Sequence, residues 1–509
     1  MDPLARTHIP VKLRLDNLSQ LPADVKTPRY RRKDLTPSIV HIGLGNFHRA
    51  HQAWYIHRLM QQGLALDWAI IGAGVRSYDA ELRAKLIQQD CLTTLVELDP
   101  AALSAEVIGP MIDYVPIQPG NGPLIERMSD PAIRIVSLTI TEGGYYLDAK
   151  TGVFDTEHDD IRHDAQNPKQ PRTVFGALVA ALKRRRAAGH VPFTALSCDN
   201  LQGNGAILRD SVVGLARLSD PELAEWIDQT GAFPNSMVDC IVPATSEDLR
   251  SQCQALGITD AAPVSHENFR QWVIEDDFCA GRPPLETLGV AITKDVHAYE
   301  ALKLRILNGG HQILANAGEV LNLPTISDCL QDADLSAFFR KVQTEEILPH
   351  IKGVPETSPD AYLKQVERRF LNPTIRDSTR RVAFDGSARH PGFLFPSLRD
   401  AISSGASLSG LALAEAFWCR MCAGVREDGT TIAPNDPIWP DLQAAARAAR
   451  ANPAQWLDVA NLYGEIGQDP RFAQAFADWL DCIWQEGSRA AIARYVRSQY
   501  PARNRGAFT

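Results

Sequence analysis

From Pro37 to about Pro243, short runs rich in β-branched residues alternate with helix-like ones, a pattern that restricts this stretch to a parallel sheet covered by helices. The strands predicted are residues 39–43, 68–75, 133–141, 193–198 and 237–242, each flanked by Gly, Asp or Pro. After about Val290 the texture changes to long helical periods, beginning with residues 297–321 and ending with 471–498. A chain of 509 residues is long for one core, so two domains are expected: an α/β domain over residues 1–288 and a mainly α-helical one over 289–509.

Composition narrows the function classes. Lys plus Arg number 52 against 61 Asp plus Glu, a net charge of −9, without the basic face that nucleic acid requires. The most basic run, Lys183-Arg184-Arg185-Arg186, ends a helix-like stretch and reads as a solvated helix terminus. No apolar run reaches the ~20 residues of a membrane span. Nine cysteines without paired spacing, and a start lacking the apolar core of a signal peptide, predict a cytoplasmic protein. Cys419 and Cys422 form one C-x-x-C inside a helical stretch with no second pair or histidine cluster, so they are expected to be core thiols and no metal site is expected.

Two segments carry chemistry. In Ser38-Ile39-Val40-His41-Ile42-Gly43-Leu44-Gly45-Asn46-Phe47-His48-Arg49, a strand runs through a glycine turn into a helix. Gly43 permits the turn and Gly45 lets backbone, with Asn46 and Phe47 behind it, approach a pyrophosphate at the positive helix end. The third glycine of the dinucleotide fingerprint is absent, because His48 stands there. Beyond the second strand, Asp79 could hold ribose hydroxyls, whereas Arg76-Ser77 could receive a 2′-phosphate, leaving NADP open beside NAD. Glu142, after the strand at 133–141, should border the nicotinamide.

The second segment opens the helical half. In Tyr299-Glu300-Ala301-Leu302-Lys303-Leu304-Arg305-Ile306-Leu307-Asn308-Gly309-Gly310-His311, polar groups interrupt an apolar run. On an α-helix with Lys303 at zero, Glu300 falls near ~60°, His311 near ~80° and Asn308 near ~140°, all on one side. Gly309-Gly310 in mid-helix costs about 2 kcal/mol against alanine, as expected where something approaches the backbone closely. Alcohol oxidation needs a base for the hydroxyl proton and donors for the developing alkoxide, and Lys303 and Asn308 fit those roles. A lysine base near neutral pH requires its pKa lowered by about 3 units, to which the neighbours Leu302, Leu304 and Ile306 could contribute. A buried polar network joining two domains is the competing reading.

Together with Ser197-Cys198-Asp199-Asn200-Leu201-Gln202-Gly203-Asn204-Gly205 and Phe269-Arg270-Gln271-Trp272-Val273-Ile274-Glu275-Asp276, these segments resemble the mannitol dehydrogenase family of polyol-specific long-chain dehydrogenases. Lys303, Asn308 and His311 match that family's K-x4-N-x2-H signature, and the likeness runs from about Ser38 to at least Pro391. It implies a Rossmann-like first domain, NAD as cofactor, and a polyol or its ketose as substrate. It also implies Lys303 as general base, Asn200 and Asn308 as the alkoxide-stabilising pair, and His311, Asp239, Arg381 and Arg389 as substrate-binding groups. Two positions depart from the pattern: Cys240 stands where Arg is expected after Asp239, and Arg389 where a lysine is familiar. A monomer or small homo-oligomer is expected, with no nucleic acid or membrane partner. Alternatives are a keto-uronate reductase of the same family, a non-catalytic dinucleotide-binding protein, and a short-chain dehydrogenase using Tyr299 and Lys303 as Y-x-x-x-K. The last is disfavoured because Tyr299 lies a whole domain beyond Gly45.

Overall fold

A computed structural model describes residues 9–99, 103–148 and 151–498, and the chain divides into two compact units between Glu300 and Ala301. The first unit is built on a five-stranded sheet of β1 (Pro37–Ile42), β2 (Ala69–Ala73), β3 (Met111–Tyr114), β4 (Ile135–Leu138) and β5 (Thr194–Ser197). Every neighbouring pair is parallel and the order is β3-β2-β1-β4-β5. Alternate residues of each strand enter different cores, as the period of two demands. Val40, Ile42, Ile71, Val136 and Leu138 pack with residues of helices Val174–Ala187 and Asn204–Ser219. Ile39, Ile70, Ile135 and Leu196 pack on the other face with Ala53, Ile56 and Met60 of helix Gln52–Gln61. Both faces are covered, so the strands read as continuous apolar runs.

The strand predicted at 237–242 exists as β6 (Ser236–Asp239), but it is not a member of the parallel sheet. It pairs antiparallel with β7 (Gln271–Glu275), Trp272 opposite Val238, and β7 pairs parallel with β8 (Ala291–Thr293). The fifth parallel strand is β3, an edge strand whose central residues Ile112 and Asp113 are only half-buried, so it lacks the apolar run of its neighbours. A further antiparallel pair, Thr93–Leu98 with Leu103–Ile108, is joined in parallel by Val264–His266.

The basic run also differs from expectation. Lys183 pairs with Asp220 at the surface, but Arg185 is buried and donates to the carbonyls of Met128, Asp130, Ile133 and Val191. One guanidinium thus satisfies chain ends that would otherwise lose water without replacement.

In the second unit, helix Ser409–Cys422 is the central element: residues 410–422 are buried, and it packs against Pro470–Glu486 and Gly309–Val320. Its amino end is out of reach of water, so Glu346 supplies the missing acceptors, taking N–H bonds from Gly410 and Leu411 at 2.9 Å each. Cys419 and Cys422 are fully buried free thiols, and burial raises both well above the usual thiol range. The helical run 471–498 is broken at Gly487, whose φ of +92° interrupts it between Pro470–Glu486 and Ser488–Arg497. Among the described residues, no helix is long and apolar enough to cross a membrane.

Candidate active site

The strand order reverses between β1 and β4, and in open parallel sheets ligands bind in the crevice at the carboxyl ends of the strands there. Gly43 follows β1 with φ +86°, and a Cβ on it would stand 2.1 Å from the Thr139 carbonyl oxygen, so only glycine fits the turn. Gly45 differs: a Cβ there would meet nothing nearer than Gly43 O at 3.8 Å. The protein's own packing does not require glycine at position 45, which suits close approach of a pyrophosphate to the backbone before helix Asn46–Ala50.

Of the predicted cofactor residues, Asn46 spends its side chain on the protein: Nδ2 donates to Pro243 O and Thr245 Oγ1, and Oδ1 accepts from Arg49. Phe47 stacks on His51 at 4.9 Å. His48, in place of the third glycine, is buried and stacks on His41 of β1 with ring centroids 3.4 Å apart. His41 in turn bonds Ser137 Oγ at 2.8 Å and Thr139 Oγ1 at 2.9 Å, stitching β1 to β4. At the end of β2, the Asp79 carboxylate accepts the Arg76 N–H at 3.0 Å and lies against Gly74, where a Cβ would be 2.4 Å from it. Arg76 itself is exposed.

Glu142 lies in the loop after β4, and what fixes that loop is a residue the sequence reading quoted without assigning: Asp199. Its Oδ2 accepts from Ile140 N at 3.0 Å and Tyr145 Oη at 2.8 Å, and its Oδ1 from Thr141 N at 2.8 Å. Burial pushes this carboxyl up to about 7, opposed by the Ile140 N–H and reinforced by the charge of Glu142. Asn200 follows in the turn beyond β5, and Asp239 ends β6 almost fully buried. Cys240 beside it is buried as well. Glu300, also buried, accepts the Gly203 N–H and a 3.0 Å bond from His297, and burial raises its carboxyl.

In the second unit the helix carrying Lys303 is not α-helical throughout. Lys303–Asn308 forms a π-helical turn, with Gly309 N–H reaching back five residues to Leu304 O. On a regular α-helix Asn308 falls about 140° from Lys303, at the far edge of their shared side. A turn closed by five-residue hydrogen bonds instead sets residues five apart one above the other. Packing accounts for the glycine pair that follows: a Cβ on Gly309 would stand 3.2 Å from Phe393 O, and one on Gly310 2.7 Å from the Phe339 ring. What approaches the glycine pair is therefore the unit's own chain. Lys303 is 5% exposed, and Leu302, Leu304 and Ile306 around it are buried.

Of the substrate-binding candidates of this unit, Arg389 is held by a backbone carbonyl. Val382 O accepts from Gln312, next to His311, at 3.0 Å and from Arg389 at 2.9 Å. His311 stacks on Phe370 at 4.1 Å. Arg381, beside Val382, makes a bidentate pair with the buried Asp377, Nε to Oδ1 at 2.6 Å and Nη2 to Oδ2 at 2.5 Å, so its charge is already matched and its fork oriented. Among the described residues, no three His, Cys, Asp or Glu side chains gather to hold a metal ion.

Comparison with known proteins identifies the family. The mannitol dehydrogenase Rossmann-domain model matches residues 37–287, and the mannitol dehydrogenase C-terminal-domain model residues 295–484. Mannitol 2-dehydrogenase of Cereibacter sphaeroides is 51% identical over 472 residues, covering 93% of this chain and 99% of the relative. The structure of Pseudomonas fluorescens mannitol 2-dehydrogenase in ternary complex with NAD and D-mannitol superimposes with a TM-score of 0.93 at 38% identity, covering 96% of this chain and all of that one. A substrate-free D-sorbitol dehydrogenase matches with a TM-score of 0.79 at 35% identity, over 95% of this chain and all of that one. With both domain models matched in order over most of its length, this chain belongs to the mannitol dehydrogenase family.

Proposed function

We propose that this protein oxidises a neutral five- or six-carbon polyol of the mannitol, sorbitol or arabinitol type to its ketose, and reduces the ketose back, with NAD as the hydride carrier. The observation that carries this reading is the buried Lys303 one π turn before Asn308, within a chain of this family. NAD, when bound, supplies the hydride acceptor. Gly43, Gly45 and the start of helix Asn46–Ala50, with Phe47, would hold its pyrophosphate, Asp79 its ribose hydroxyls, and the Glu142 loop would border its nicotinamide.

In polyol oxidation, Lys303 Nζ takes the hydroxyl proton while the carbinol hydrogen leaves as hydride and the C–O bond becomes a carbonyl. Burial of the amine is the condition under which lysine serves as a base near neutral pH. Amide N–H groups of Asn200 and Asn308 donate to the oxygen as negative charge grows on it, an interaction strongest where charge is greatest. His311, Asp239, Arg381 and Arg389 bind the remaining hydroxyls and fix which carbon reacts.

Substrate class is decided by one comparison. Fructose reduction should exceed fructuronate reduction in kcat/KM under identical NADH and salt, and NADH should exceed NADPH by about tenfold or more. A hundredfold preference for the uronate would move the protein to the keto-uronate branch, and an NADPH preference would assign Arg76 to a 2′-phosphate.

Side chains supply both the base and the alkoxide donors, so catalysis is expected to need no metal. Activity should survive prolonged EDTA treatment and desalting. Loss that zinc restores would refute metal independence.

A further inference from the structure

The loop after β4 is held from a single point. The Asp199 carboxylate takes both backbone N–H groups at its start, Ile140 and Thr141, and the buried Tyr145 hydroxyl near its end. The loop needs this restraint. Thr141 has φ +65° and Tyr146 φ +53°, and a β-branched residue keeps such a conformation only when its surroundings fix it.

The backbone of Asp199 is fixed just as firmly from the other side. Its N–H faces Ser197 Oγ at 3.3 Å, and its C=O accepts from Asn204 Nδ2 at 3.0 Å. Asn204, fully buried, also bonds Ser236 O at 2.8 Å and Ser236 N at 2.9 Å, tying the turn that carries Asn200 to β6. One residue therefore joins the loop bearing Glu142 to the turn bearing Asn200.

We propose that Asp199 is a positioning residue of the dehydrogenase, locking the nicotinamide-side loop 140–145 to the turn that presents Asn200, so that hydride acceptor and alkoxide donor keep one register. The proposal rests on the polyol dehydrogenase reading. Asp199 touches neither substrate nor the transferred hydride; it acts through the two segments it joins. The acceptor chemistry is specific. An asparagine at this position sets an N–H donor against the Ile140 or the Thr141 N–H whichever way its amide is turned.

The test is Asp199→Asn, read four ways. Polyol oxidation should fall about 30- to 100-fold in kcat. The dissociation constant for NADH should stay within about threefold, because the Gly43–Gly45 turn is untouched. In the free protein, amide exchange across residues 139–146 should accelerate about tenfold or more while β1 and β5 keep their protection. Emission from bound NADH should weaken as the nicotinamide ring gains freedom. Should the variant fail to fold, Tyr145→Phe removes one donor to the same carboxylate and keeps the charge. It should accelerate exchange at 139–146 about three- to tenfold with a matching loss of kcat. Unchanged exchange and near-normal kcat would overturn the proposal. So would faster exchange spread evenly over the first unit with kcat and NADH affinity falling together, the signature of a purely structural role. A wild-type protein that turns over no polyol would instead refute the functional reading, with exchange and NADH emission still deciding the role of Asp199.

Discussion

Replacing Lys303 with alanine is expected to lower kcat for polyol oxidation by about 10³- to 10⁴-fold, the contribution of a positioned general base, while NADH binding is retained. The Lys303 side chain is almost fully buried, so truncation also leaves a cavity. Lys303→Met is the companion variant, filling the volume without offering a base, and it should be as inactive as the alanine form. Tyr299→Phe should stay active, since the Y-x-x-x-K reading gives the tyrosine a proton that this assignment does not require. Lys303 variants within tenfold of wild type would place the base elsewhere.

Acidification should destabilise the first unit more steeply than its carboxylates alone would do. Burial pushes His41 and His266 each down to about 3, and pushes His48 well below its usual range with help from His41, His51 and Arg49. A base with a depressed folded pKa binds its proton only on unfolding, so the stability it contributes is intact above about pH 6.5 and lost as pH falls toward 3. At pH 5 each such histidine costs about 2 kcal/mol, from 1.5 units below its unfolded pKa at 1.36 kcal/mol per unit, so three cost about 6 kcal/mol. That is comparable with the whole stability of an ordinary domain. His297, raised by its hydrogen bond to Glu300, works in the opposite direction but is largely exposed, so solvent screens it. The urea midpoint of tryptophan fluorescence should therefore fall from pH 7 to pH 5, with net proton uptake on unfolding at pH 5, since the three histidines outweigh Asp199, whose raised carboxyl gives up its proton on unfolding. A midpoint that does not move over that range would mean that these rings are protonated in the folded protein.

The parts of this molecule legible in its sequence are those where local chemistry and global fold agree. A β-branched run ending in Gly43-Leu44-Gly45 has one economical conformation, and the steric contact of Gly43 with Thr139 explains why. Pairing partners were less legible. The apolar segment at Ser236–Asp239 reads like its neighbours, and only the strand at Gln271–Glu275 decides that it leaves the parallel sheet. Burial of single charges was hidden too, because Arg185 sits in a run of four basic residues and is distinguished only by the four carbonyls folded around it. Asp199 lay beside Asn200 in a quoted segment, but its partners at 140, 141 and 145 are distant in sequence. The Arg381–Asp377 pair was hidden as well, because Asp377 precedes the short helix Thr379–Val382 and the two do not share a helix face.

The π turn at Lys303–Asn308 amounts to an α-helix with one residue too many. Deleting a single residue between Lys303 and Asn308 would let the ladder close regularly, with better hydrogen-bond geometry. Winding all six residues as a regular α-helix would instead turn every later side chain by about 100° round the axis relative to Lys303. Regularity and function are thus opposed within six residues. A redesign that wound this helix regularly for stability would move Asn308 out of line with Lys303.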